Sequence, residues 1–289
     1  MLAGPAGFEP ATSGLEGRSL NELWASERAN FTEWLSGEVS EETRKDYVRA
    51  LDRLFGRHVI KTLGDLEKAL RAEGYKRNVS KAIRRLAKYL VERDIIDSNS
   101  YEKIKKIAKL KATGVREVFV SDDDIRKAYA EVQKRGKPAE TLFLLLVYSG
   151  IRLKQAVELL RTYDPTKLYP PIDDKAARYP IFSTSKGKKK AFWAYGPRDF
   201  FERLKPPLEV KYNTAKDLVA FGKVSANSIR KWHYTFLIQQ GMPADIADFI
   251  QGRVSGSVGA THYLNKAVLA DEWYSTVVDD LKRVLEGGE

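Results

Sequence analysis

Several positions in the C-terminal half carry side chains suited to a phosphodiester. Arg152 follows Tyr148-Ser149-Gly150-Ile151, where a glycine ends one helix and the next begins. That sets a guanidinium beside the unpaired backbone N–H groups of a helix start, which favour phosphate. From Tyr179 to Ala194, β-branched and aromatic residues flank Lys186-Gly187-Lys188-Lys189-Lys190. This is the pattern of a β-hairpin, with a lysine tip able to enter a DNA groove or reach a backbone phosphate. A helix starting at Ser225 carries Asn227, Arg230 and His233 and ends at Gly241. A short helix from Asp245 to Ile250 leads into Gln251-Gly252-Arg253, and Tyr263 lies ten residues after Arg253.

The composition agrees with a polyanionic partner. The chain has 289 residues, 43% apolar and 31% charged, enough to bury a core under a solvated surface. Wholesale disorder, collagen-like repeats and a small disulfide scaffold are excluded. Fifty Lys/Arg against 39 Asp/Glu give +11, with a pI near 9.5. Residues 18–113 hold 22 basic and 15 acidic residues, and residues 114–289 hold 28 and 22. Both parts are therefore basic, as expected of a protein that grips nucleic acid from two sides. There is no cysteine, and His58, His233 and His262 are dispersed, so neither a thiolate site nor a histidine zinc site is expected. No cofactor or metal is called for. The longest apolar run, Leu142 to Val147, is too short for a membrane helix, and the N-terminus lacks a secretory pattern. The expected location is cytoplasmic.

The elements that must position these groups fall into three parts. Residues 1–17, rich in Gly, Pro, Ala, Ser and Thr, read as a flexible arm. Residues 18–113 read as a helical DNA-binding domain. Apolar residues recur at helical spacing from Leu20 to Leu35, from Tyr47 to Phe55, from Leu63 to Leu70 and from Val79 to Leu90. Lys76, Arg77, Lys81, Arg84, Arg85 and Lys88 share the polar face of the last of these, and five more lysines follow between Lys103 and Lys111. Residues 112–120 read as a linker, and Ser121 with Asp122, Asp123 and Asp124 opens a new helix. Residues 114–289 then form a second domain, ending in an amphipathic helix from Val268 to Leu285. The fold class is mainly α with a small β-hairpin.

The order Gly-Ile-Arg, lysine hairpin, x-x-x-Arg helix, Gly-Arg, Tyr resembles the tyrosine recombinase (phage integrase) family over about residues 115–285. Asn227 stands where relatives have His or Lys, Arg253 where they have His or Trp, and Gln155 where many have an acid. The Asn227 and Arg253 departures resemble archaeal integrases of the fusellovirus type. The resemblance implies a helical core-binding domain followed by an α+β catalytic domain. It makes Tyr263 the nucleophile and Arg152 and Arg230 the ligands of the scissile phosphate. Lys186 becomes the general acid for the leaving 5′ oxygen, with Arg253 and Asn227 completing the site. It also implies double-stranded attachment-site DNA as partner and a homotetramer on DNA, held by the C-terminal helix if that helix is passed to a neighbour.

The residue types suit that chemistry. Equatorial phosphate oxygens gain charge as the nucleophile arrives, and guanidiniums stay charged and present forked donors. A phenol of ordinary pKa ~10 needs a positive field or a proton acceptor to attack. No base stands out; His233 and His262 are candidates, and a core or surface role is the plainer reading of each. Tyr234 and Tyr274 compete with Tyr263 for the nucleophile's part. A type IB topoisomerase-like relaxing enzyme and a catalytically silent DNA-binding protein are the alternatives. The codons of Gly7-Phe8-Glu9-Pro10 include GGTTCGAACC, the T-arm sequence of tRNA genes. The expectation is that residues 1–17 are encoded by an attachment site matching a host tRNA gene, so that integration splits the gene near its 5′ end.

Overall fold

The computed structural model describes residues 17–110, 114, 118–169, 172–182, 191–205, 208–253 and 260–286, with the backbone alone for 260–264. The arm up to residue 16, parts of the linker, Lys186 with its neighbours, and the side chains of His262 and Tyr263 lie outside the described residues. The chain divides into two compact units, Met1–Val115 and Arg116–Glu289.

Among the described residues, the first unit holds five helices: α1 (Leu20–Glu38), α2 (Glu41–Arg57), α3 (Leu63–Ala72), α4 (Arg77–Glu92) and α5 (Ser98–Ile107). Their starts are set locally. Ser19 and Thr62 form reciprocal capping boxes with Glu22 and Asp65, while Ser40 and Asp97 accept from Thr43 and Ser100 backbone N–H groups. The apolar stripes converge on Trp24, Phe31, Phe55 and Tyr89, whose rings meet at centroid distances of 5.6–5.8 Å. The basic face of α4 is partly engaged within the unit. Arg85 and Lys88 pair with Glu38, Lys76 pairs with Glu73, and Arg84 donates to the Lys105 carbonyl.

The second unit is built round α7 (Lys137–Ser149), buried along nearly its whole length because its apolar residues run all round rather than along one stripe. Against it pack α6 (Asp122–Gln133), α8 (Leu153–Thr162), α11 (Ala226–Gln239) and strand β2 (Trp193–Pro197). Helices α9 (Arg198–Glu202), α10 (Tyr212–Leu218), α12 (Ala244–Gln251) and α13 (Ala260–Glu286) complete the unit. β1 (Ala176–Pro180) pairs antiparallel with β2, with Arg178 opposite Tyr195. The paired strands differ from the expected hairpin. β1 begins three residues before Tyr179, and β2 runs three residues past Ala194. Among the described residues, regular pairing lies on the stretch packed against α7 and α13, and Phe182 is half exposed.

The C-terminal helix also differs. It begins at Ala260 rather than near Val268, so Tyr263 sits in its first turns. Ala270, Tyr274, Val277, Val278, Leu281 and Leu285 are buried in the core of their own unit. These residues are thus taken up within the unit; among the helix's described side chains, Val268 and Leu269 are the exposed apolar ones. Among the described residues, no helix is long and apolar enough to cross a membrane, and no cluster of three or more acidic or histidine residues could hold a metal.

Candidate active site

Two left-handed glycines make the frame. Gly150 ends α7 at φ 57°, and Gly252 ends α12 at φ 62°. Each leaves carbonyl oxygens at a helix C-terminus, the negative end of the helix dipole, where a cation is favoured. Arginines take both positions. The Arg230 guanidinium donates to the Gly150 carbonyl at 2.6 Å, and both terminal nitrogens of Arg152 donate to the Gly252 carbonyl at 3.2 and 3.3 Å.

Arg152 is held from its backbone as well. It is the extended residue before α8, and its N–H donates to the side chain of Gln155 at 3.1 Å. Gln155 is buried. The Gln155 amide therefore secures the turn carrying Arg152. Arg230 lies on α11, whose start is fixed by a Ser225–Ser228 capping box. The Arg253 guanidinium lies 4.4 Å from the centre of the Tyr234 ring, and its Nε donates to Gln251 Oε1 at 2.9 Å.

Gln251 is the residue that sequence reasoning missed. It is fully buried, and its amide N–H2 group reaches both the Arg230 carbonyl (2.9 Å) and His233 Nδ1 (2.8 Å). With its oxygen on Arg253, one side chain ties together the helix of Arg230, the imidazole of His233 and the guanidinium of Arg253. The signal was present: a polar residue closing the apolar run Phe249-Ile250, directly before Gly-Arg.

His233 is a structural residue, not a base facing the cleft. It is fully buried, and its Nε2 lies 2.9 Å from the Tyr148 carbonyl. The pairing requires Nε2–H to donate while Nδ1 accepts from Gln251. Burial, reinforced by Arg230 and Arg253, lowers its pKa to about 3, so it is neutral at pH 7. Tyr274 is likewise fully buried, donates to the same Tyr148 carbonyl at 2.9 Å, and is raised well above 10 by burial. Tyr234 is half-buried with its ring against Arg253. Tyr274, buried and spent on a backbone carbonyl, is not presented as a nucleophile.

Arg230, Arg253, Asn227, Lys223, Lys231 and Ser225 line a cleft of about 310 Å³. Asn227, in the first turn of α11, is exposed to it. Arg152 lies outside that lining and joins the group through Gly252. The guanidiniums are near enough to oppose one another. Burial and then the charges of Arg152 and Arg253 lower Arg230 from 12.5 to about 9, and burial and Arg253 lower Arg152. Both remain protonated at neutral pH. Cations held together in this way suit an anion that would relieve the repulsion.

Helix α13 reaches this region through α12, and Lys266 pairs with Asp245 at 3.0 Å. Tyr263 lies three residues before Lys266 in that helix. Thus the structure brings together Arg152, Arg230, Arg253 and Asn227; the side chains of Lys186 and Tyr263 lie outside the described residues.

Helical packing, a two-stranded sheet and a guanidinium cluster at helix ends are the frame of a tyrosine recombinase. The chain belongs to the archaeal phage integrase family, whose sequence model matches residues 117–280. Two solved structures are similar to it. XerA recombinase has 16% identity, covering 90% of this chain and 96% of its own, with a TM-score of 0.35. The integrase from mycobacterium phage Brujita has 13% identity, covering 94% and 99%, with a TM-score of 0.36. No curated protein matches the chain.

Proposed function

We propose that this integrase cuts and rejoins double-stranded DNA through a 3′-phosphotyrosine intermediate, inserting a mobile element at a tRNA gene. The observation that carries the reading is the mutual fixing of Arg152, Arg230 and Arg253 by two helix ends and Gln251. Residues 18–113 act as the core-binding domain, and residues 114–289 as the catalytic domain. The Tyr263 oxygen bonds to the scissile phosphorus as its proton passes to solvent, and the P–O5′ bond breaks. Lys186 gives a proton to the departing 5′ oxygen. Arg152 and Arg230 hold the non-bridging oxygens, and Arg253 and Asn227 complete their surroundings. Reversal, with a new 5′ hydroxyl attacking the phosphotyrosine, rejoins the strand and releases the phenol. The protein works as a homo-oligomer on DNA, expected to be a tetramer. The match of residues 7–10 to a T-arm supports the tRNA target; codons that differ from any tRNA 3′ segment end that part of the reading.

The test is a nicked suicide duplex carrying the attachment site. The native protein should form a covalent adduct, and Tyr263→Phe should form none while binding the duplex as before. An adduct with Tyr263→Phe overturns the assignment. Joining of two attachment-site duplexes, rather than relaxation of supercoils alone, separates an integrase from a topoisomerase-like enzyme.

A further inference from the structure

Away from the arginine cluster, the second unit buries a second charged group. Arg178 of β1 is 7% exposed and donates to both carboxylate oxygens of Asp271 on α13. Tyr195, its ladder partner on β2, is fully buried and donates to the same carboxylate at 3.1 Å. The guanidinium also lies 4.3 and 4.5 Å from the ring centres of Tyr169 and Trp193. A second tie, Lys175 to Asp279 at 2.7 Å, joins the residue before β1 to the same helix two turns further on.

Such a group is a poor way to gain stability, because a buried ion pair recovers little more than its own desolvation. The apolar contacts of Ala270, Tyr274, Val277, Val278 and Leu281 already dock α13. What a carboxylate gripped by a guanidinium and a phenol adds is direction. Apolar surfaces tolerate sliding, whereas this arrangement accepts one register between helix and hairpin. The position matters too. Arg178 is eight residues before Lys186 in the chain, and Asp271 is eight residues after Tyr263.

We infer that Arg178 and Asp271, with Tyr195, are positioning residues that set the hairpin of the general acid in register with the helix of the nucleophile. The inference rests on the assignments of Lys186 and Tyr263 made above. The consequence is specific: loosening the clamp should impair delivery of the proton to the leaving oxygen more than it impairs phosphate binding.

Single-turnover cleavage by the full-length protein tests this with two substrates, an ordinary suicide duplex and one with a bridging 5′ sulfur. Sulfur leaves as a thiolate when the P–S bond breaks and needs no proton. Arg178→Met and Asp271→Asn should slow cleavage of the oxygen substrate by about tenfold to a hundredfold, the range a small misplacement of a reacting group produces. Most of that loss should vanish with sulfur. Lys186→Ala should behave in the same way, and Arg230→Ala should be slow on both substrates. Should Arg178→Met fail to fold, the near-isosteric Asp271→Asn and the doubly apolar Arg178→Met/Asp271→Leu decide the matter. Equal slowing on both substrates, or none, overturns the clamp's role while Lys186→Ala is still rescued. If sulfur fails to rescue Lys186→Ala itself, the assignment of Lys186 falls and the inference falls with it.

Discussion

The guanidinium of Arg230 is hydrogen-bonded at 2.6 Å to the carbonyl of Gly150, two residues before Arg152 and eighty before itself in sequence. The turn that carries one phosphate-binding candidate is thus the anchor of the other. Any change that moves this turn moves both.

Gly150 is the tightest point of that turn. A Cβ there would lie 2.4 Å from His233 Nδ1 and 2.6 Å from Gln251 Nε2, and φ is +57°. Gly150→Ala must displace the imidazole and the amide and strain the backbone, at a cost of about 2 kcal/mol. Thermal unfolding should show a Tm lower by about 4–8 °C. An unchanged Tm would mean the turn is looser than described.

Gln251 serves three partners at once. Gln251→Leu leaves the Arg230 carbonyl, His233 Nδ1 and Arg253 Nε without it, costing about 1–3 kcal/mol. Cleavage should fall by roughly tenfold to a hundredfold, since the arginines lose their mutual tie. Duplex affinity should stay near native. Single-turnover rates set beside filter-binding curves check this, and a loss confined to affinity would contradict it.

His233 is neutral in the folded protein with a pKa of about 3, against an ordinary 6.5. The unfolded chain binds the proton first as pH falls, so this contribution to stability is intact above pH 6.5. It is lost progressively on going down toward 3, by about 2 kcal/mol at pH 5. His233→Gln cannot titrate and should lack that part of the slope. Urea midpoints for the two proteins at pH 7 and pH 5 measure the difference, and parallel profiles would refute it.

The opposed guanidiniums should make the cleft a receptor for an oxyanion. Sulfate at about a hundred times its Kd should stabilise the protein by about 2.7 kcal/mol, with ionic strength matched by chloride. Arg230→Ala should lose most of that gain. A rise in Tm equal for both proteins would place sulfate elsewhere.

DNA binding by two basic units should weaken steeply with salt. The slope of log affinity against log salt should be about −0.9 for each phosphate contacted. Fluorescence anisotropy between ~50 and ~200 mM salt reads this, and a flat response contradicts a large phosphate interface.

Much of the scaffold was legible in the sequence, because its signals are local. Capping residues at Ser19, Ser40, Thr62, Ser121 and Ser225 and apolar periodicity mark helix starts within a residue or two. Gly150 and Gly252 announce helix ends because a left-handed residue is nearly free for glycine alone. The order of Arg152, Arg230 and Arg253 was legible through its resemblance to the motif order of the integrase family rather than through a local signal. Strand limits were less legible. The hairpin's regular pairing depends on which residues α7 and α13 cover, and no local pattern encodes that.

The sequence alone determined residue types, most helix starts and the gathering of basic charge, all properties of short stretches of chain. Only the tertiary structure decided which polar groups are spent on one another. It buried His233 and Tyr274 on a single carbonyl, made Gln251 the tie between Arg230 and Arg253, and joined Arg178 to Asp271 across 93 positions. Those outcomes depend on long-range packing, which sets whether a titratable side chain meets water, a neighbouring charge or a backbone oxygen.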